Sequence, residues 1–154
     1  MIEPLYIERG HALLRVLNVI VQVRTGPMTT IGLEAILAAT LRFRAEVSGK
    51  RGALLSIGDR AEMVSPILRK RQAQGLQDLL QDPLASVCIV IDKANPAAAL
   101  YRALARSDQR MASNSMVCES VEEGIRWLAA AVGDIDVALI VEAEKQARAA
   151  AGGA

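Results

Sequence analysis

Short apolar runs alternate along the chain with stretches of helical period, and turn signals close each run. Leu5–Val23 is rich in β-branched and aliphatic residues and is interrupted by Glu8-Arg9-Gly10-His11, which predicts a hairpin of Leu5–Arg9 and Ala12–Val23. The second arm is long for one strand, so it bends or bulges near Asn18 or divides into two. After the loop Arg24–Pro27, Thr29 or Thr30 caps a helix to about Val47, with Leu33, Ile36, Leu37, Leu41 and Val47 on its apolar stripe. Ala53–Ile57 follows as a glycine-bounded buried strand. Ser65-Pro66 then sets an N-cap and a first-turn proline for a helix to about Gln81, whose stripe is Leu68, Leu76, Leu79 and Leu80. Val87–Ile91, apolar on both faces, reads as a central parallel strand. Asn95-Pro96 opens a helix over Ala97–Arg106, and Asn114–Cys118 is the last clear strand.

The last helix carries the most explicit start signal. Ser120 and Glu123 form a capping box, in which the hydroxyl accepts from a free backbone N–H and the carboxylate reaches back to another. Val121, Ile125, Leu128, Ala129 and Val132 share one face, and Trp127 beside it, near Gly124 and Ala131, reads as a packing anchor. Beyond Gly133 the pattern is ambiguous. Val137–Val141 suits a strand, while Ile135, Leu139 and Glu142–Arg148 suit a helix, and the Ala/Glu/Lys/Arg content that follows favours helix. Ala149–Ala154 is expected to fray.

The predicted fold is α/β: a mixed, mostly parallel sheet with an N-terminal hairpin, helices mainly on one face, and a C-terminal helical extension. Residues 1–133 form the predicted domain and 134–154 the extension. The extension holds more apolar residues than one small domain needs, so it either covers a sheet edge or packs across a two-fold axis as a homodimer interface.

Composition narrows the classes of function. The 154 residues are 52% hydrophobic but hold one Trp, one Phe and two Tyr, so the core must be aliphatic and stacking platforms for single-stranded nucleic acid are lacking. With 18 basic and 17 acidic residues, no global field steers the chain to nucleic acid or anionic membrane. The apolar runs are broken by charges well before the length of a membrane span, and Met-Ile-Glu-Pro lacks the pattern of a signal peptide, so a cytoplasmic protein is expected.

Chemistry is sparse. His11 is the single histidine and falls in the predicted turn, where it reads as exposed and without a role. Cys88 and Cys118 lie inside apolar strands and read as buried, reduced thiols. Two cysteines and one histidine do not make a zinc site, so no metal or cofactor is expected. Gly49-Lys50-Arg51-Gly52 precedes a strand, the wrong order for a phosphate loop. Asp134 and Asp136 look solvated. Asp92 and Asn95, at the end of the central strand, sit where α/β folds place ligands. Arg69-Lys70-Arg71, early in its helix, opposes the helix dipole and is a candidate partner-binding cluster.

A hairpin, three strand–helix units and a closing strand with the phrase Ser120-Val121-Glu122-Glu123-Gly124-Ile125-Arg126-Trp127-Leu128 resemble the STAS or SpoIIAA-like domain, over about Tyr6–Leu128. The likeness extends to bacterial STAS/SEC14-type proteins of unassigned role. The resemblance implies helices packed mainly on one face, no cofactor, no enzymatic activity, and regulation through a protein partner. Its SEC14-like side implies an alternative, a carrier of a small apolar ligand or lipid. Anti-sigma-factor antagonists of that family carry an Asp-Ser-x-Gly phosphorylation motif after the strand that follows the first helix. Leu55-Ser56-Ile57-Gly58-Asp59-Arg60 lacks it, and Ser65, at a comparable helix start, is the one residue the resemblance carries over as a regulatory candidate.

Overall fold

The computed structural model describes residues 1–58, 64–92, 98–109 and 113–152. Six strands form one sheet in the order of the chain: β1 (Ile2–Glu8), β2 (His11–Val16), β3 (Val19–Arg24), β4 (Gly52–Gly58), β5 (Ala85–Ile91) and β6 (Ser115–Cys118). The first three are an antiparallel meander, and β3 to β6 run parallel. The long second arm of the expected hairpin therefore divides into two strands. Val16 pairs with Val19 across Leu17-Asn18, and Leu17 takes φ 53°, a left-handed conformation costly for a branched side chain. Asn18 ties this turn to β4: its carbonyl accepts from the Ala53 N–H at 2.9 Å, and its Nδ2 donates to the Arg51 carbonyl at 3.0 Å.

Helices α1 (Thr30–Glu46), α2 (Pro66–Leu80) and α3 (Ala98–Gln109) make the crossovers between parallel strands. Each leads to the next strand along, so consecutive right-handed crossovers keep all three on one face. Then α4 (Val121–Val132) and α5 (Val137–Ala151) cover the other face. This corrects the expectation of helices mainly on one face. A face bearing Leu14, Val16, Val21, Val23 and Leu55 must be hidden from water, and the segment beyond Gly133 supplies part of the cover.

α5 corrects the reading of the tail. Asp136 is exposed, as expected, and is also the N-cap: its Oδ1 accepts from the Leu139 N–H at 3.1 Å and starts the helix. Ile140, Ala143, Ala147 and Ala151 recur at helical spacing and pack on β2 and β3, the small alanines allowing close approach. Of the apolar residues in this segment, Ile140, Ala143, Ala147 and Ala151 are thus buried within the chain, while Val137 and Val141 stay exposed. Fraying does not begin at Ala149 either: Ala151 is buried and its carbonyl accepts from the Gly10 N–H at 2.7 Å, pinning the last turn to the β1–β2 turn.

Two apolar layers result. One holds the even positions of β2 (Ala12, Leu14, Val16) with the α4 and α5 residues Ile125, Leu128, Val132 and Ile140. The other holds Leu13 and Ile20 with Met28, Leu33, Ile36, Ala39 and Phe43 of α1. The stripe of α1 differs from the expected one in that Leu41 points to solvent, while Ala39 and Phe43 join Leu33, Ile36 and Val47 beside the sheet. The capping box of α4 forms as read: Ser120 Oγ accepts from the Glu123 N–H at 3.2 Å, and Glu123 Oε2 accepts from the Glu119 N–H at 3.4 Å. Trp127 packs against the core, as an anchor should.

Candidate functional site

Ligands of open α/β sheets bind beyond the carboxyl ends of parallel strands, where the following helices begin. Here that rim joins Arg24, Gly58 and Asp92 with the first turns of α1, α2 and α3. Because β1 runs parallel to β3, its last residues, Ile7 and Glu8, reach the same rim.

A polar cluster lies under the rim, on the α1 face. Register places Glu8 and Arg24 on either side of His11, and Gln22 beside Leu13. His11 is fully buried, which overturns its reading as an exposed turn residue: the turn is only Arg9-Gly10, so His11 is already the first residue of a central strand. Gln22 Nε2 lies 3.0 Å from His11 Nε2. An amide NH2 only donates, so Nε2 accepts, and Nδ1 is buried with no hydrogen-bond partner. Tyr6 stands edge-on to the imidazole, ring centroids 6.1 Å apart. Burial, then the positive charge of Arg24, pulls the His11 pKa down to about 4, against the opposing pull of Glu8. The ring is neutral near pH 7.

Glu8 links this cluster to α1. Its Oε2 accepts from the Tyr6 hydroxyl at 2.7 Å and its Oε1 from the Thr29 hydroxyl at 3.1 Å. Thr29 Oγ1 in turn accepts from the Gly32 N–H at 2.9 Å as the α1 cap. A Cβ at position 32 would stand 2.8 Å from Glu8 Oε1, so only glycine admits the carboxylate to this helix start. These bonds fix the meander to α1. A sealed imidazole reaches no substrate, so the cluster holds structure rather than a reacting group.

Sequence reading missed the cluster. The available signal was Gln22, a polar residue in phase with Ile20 on a face that is otherwise apolar, together with the one histidine.

The expected site residues are dispersed around the rim. Ser65 is an exposed N-cap whose Oγ accepts from the Leu68 N–H at 3.4 Å. Arg69 is half-buried, Lys70 is exposed, and Arg71 Nε donates to Glu34 Oε1 of α1 at 3.2 Å, so the basic run does not act as one solvated patch. Asp92 is exposed at the end of β5, while Asn95 lies outside the described residues. Among the described residues no group of three or more His, Cys, Asp or Glu is placed to hold a metal ion, and no helix is long and apolar enough to cross a membrane.

The rim's outer surface is apolar where solvent should meet polar groups. Ile31 is 77% exposed and Ile67 is 84% exposed. Each is the second residue of its helix. Ile31 precedes Glu34 by three positions and Ile67 precedes Arg71 by four, so each lies one turn before its helix's member of the Glu34–Arg71 ion pair. Leu100, the third residue of α3, is 50% exposed and extends the row along the same rim.

At the opposite end of the strands, a cleft lined by Thr40, Phe43, Arg44, Gly52, Leu79 and Ser86 has about 10 Å³, room for one water and far too little for an acyl chain. Arg44 pairs with Asp82 there, while its Nη1 is buried and unpartnered.

No family model matches the chain, and no curated protein matches it.

Proposed function

We propose that the chain is a non-enzymatic interaction domain of SpoIIAA-like architecture, which binds a partner protein across the first turns of α1 and α2. One observation carries this reading: Ile31 and Ile67, in the first turns of two helices joined by an ion pair, are 77% and 84% exposed, at a rim where a lone exposed apolar residue would be ordinary but two are not. Lys70 and Arg71 flank the pair, so the fitting occupant is a protein segment bearing apolar anchors beside carboxylates. The neutral, sealed state of His11 supports a role without catalysis, because the one histidine in the chain cannot act as a base on an outside molecule.

The consecutive strand order supports the architecture. Three crossovers in one direction and a closing capped helix that packs Trp127 are its supports, while the second helical layer of α4 and α5 departs from the one-faced packing that the resemblance implies. The Asp-Ser-x-Gly motif of kinase-controlled members is absent, so binding here is independent of a phosphate at that motif.

A displayed peptide library screened against the full chain tests the reading. Enriched peptides should combine apolar and acidic residues, and their affinity should fall at least about tenfold on the Ile31→Asp/Ile67→Asp double variant. Peptides that bind the variant equally well, or no enrichment at all, would remove the reading. Circular dichroism of the variant separates loss of binding from loss of fold.

A further inference from the structure

Cys88 and Cys118 lie on neighbouring parallel strands beneath α4, with their sulfurs 3.5 Å apart. Both are free thiols, 0% and 2% exposed. The register pairs Cys88 with Met116 and Cys118 with Val90, so the two cysteines are diagonal neighbours on the α4 face. α4 closes over them at Gly124. A Cβ at that position would stand 3.0 Å from Cys88 Sγ and 3.3 Å from Cys118 Sγ. The glycine thus lets helix backbone roof the thiol pair directly.

The two sulfurs are not equivalent. Cys118 ends β6 just before the α4 cap, and its S–H donates to the Ser120 carbonyl at 3.5 Å. Hydrogen bonding from Cys88 pulls the Cys118 thiol below its usual range despite burial, and the same contact pushes Cys88 up. Cys118 is the nucleophile of the pair and Cys88 the thiol that resolves it.

We propose that Cys88 and Cys118 are an oxidation site, closing to an intramolecular disulfide on reaction with a peroxide. In the first step the Cys118 thiolate attacks one peroxide oxygen. An S–O bond forms, the O–O bond breaks, and the departing hydroxide takes the thiol proton to give water. In the second step Cys88 sulfur attacks the Cys118 sulfur of the sulfenic acid. The S–S bond forms, the S–O bond breaks, and the hydroxide leaves with the Cys88 proton as a second water. Two thiols are oxidised by one electron each, and one peroxide is reduced to two waters.

The surroundings favour a disulfide over other products of a dithiol. The pair sits among Val90, Ile125 and Leu128, an apolar layer in which the neutral disulfide is accommodated without buried charge. Diagonal neighbours on adjacent strands have Cα atoms about 7–8 Å apart, beyond the usual limit of about 6.8 Å for a disulfide. The two strands are already at pairing distance, so closure slides the end of β6 along β5 and shortens the diagonal. As a four-residue edge strand, β6 can yield, and it carries the Ser120 cap of α4 with it. Local opening of this edge is also the route by which a small peroxide reaches buried sulfur.

The test is equimolar hydrogen peroxide added to the reduced, folded chain, followed by denaturation, alkylation and peptide mass mapping. The expected product is a monomer lacking two hydrogens, with both cysteines protected from alkylation, a Cys88–Cys118 cross-linked peptide, and full recovery on dithiothreitol. Cys88→Ser should leave a sulfenic acid on Cys118 that dimedone traps, while Cys118→Ser should slow oxidation of Cys88 by about tenfold or more. The wild-type measurement stands if either variant fails to fold. Two alkylatable cysteines after treatment, a disulfide between chains, or closure seen only in denaturant would each overturn the proposal.

Discussion

The two faces of the sheet are packed in opposite styles. On one, α4 and α5 bury Leu128, Ile140, Ala143 and Ala147 completely against β2 to β5. On the other, α1 buries its stripe, but α2 has no fully buried residue at all and touches the sheet through half-exposed leucines. The half-open face also inverts the usual pattern, with His11 and Gln22 sealed inside and Ile31, Leu41 and Ile67 standing in solvent. A buried polar group and an exposed apolar patch are the informative departures from a rule that most positions obey. Both fall on the α1 and α2 side, which is where a partner has room to act without unpicking the core.

The largest test of this contrast is truncation of a leucine on each face. Leu128→Ala removes a completely buried side chain and should cost about 3–4 kcal/mol, whereas Leu76→Ala, on half-exposed α2, should cost about 1 kcal/mol. Urea midpoints at matched slope measure both. Equal losses would mean that α2 is as firmly seated as α4, and the contrast would fail.

His11 supplies a second test, confined to the half-open face. Its folded pKa of about 4 lies below the ordinary 6.5, so the unfolded chain binds the extra proton between those values. The contribution to stability is complete above pH 6.5 and is lost as pH falls toward 4. A depression of that size corresponds to about 3 kcal/mol. Unfolding of wild type and His11→Gln between pH 7.5 and 4 isolates it from the carboxylates, which titrate in both. Wild type should lose about 2–3 kcal/mol more than the variant over that range. Parallel pH profiles would show that Glu8, which faces the ring from β1, holds it charged against Arg24 on β3, or that acid reaches it without unfolding.

Much of the architecture was legible in the sequence because local rules and tertiary demands agreed. Thr29, Ser65 and Ser120 announced three helix starts, and all three hydroxyls accept the expected backbone N–H. The errors have one cause: single-segment reading cannot see the second face of a sheet. The cap role of Asp136 went unread because its helix is short of other start signals, and α5 looked supernumerary because nothing local says that β2 and β3 need a cover. His11 looked exposed because a two-residue turn was read as four. The apolar rim was not legible at all. Leu41 read as part of the apolar stripe of α1, and neither segment alone shows that the Glu34–Arg71 ion pair and the Leu37–Gly75 contact set the first turns of α1 and α2 on one rim.

The finest comparison uses two glycines, one in the interior of a helix on each face. Both weaken their helices, and alanine at either would recover up to about 1 kcal/mol of helix propensity. Space decides whether that gain survives. At Gly124 a new Cβ meets Cys88 Sγ, Val90 Cγ2 and Cys118 Sγ at 3.0–3.3 Å, three partners held by the closed face, so no one of them can move aside alone. Gly124→Ala should therefore cost about 1–2 kcal/mol net. At Gly75 the new Cβ meets only the Cδ2 of Leu37 at 2.4 Å, with the next atoms of that side chain at 3.6 Å and beyond. Leu37 is half-exposed and can rotate its isobutyl end into solvent, so Gly75→Ala should be neutral or gain up to about 1 kcal/mol. Thermal unfolding of the two variants, side by side, reads the sign directly. If Gly75→Ala destabilises as much as Gly124→Ala, the α1–α2 contact is as rigid as the roof over the thiols, and the face assigned to a partner is a second closed core.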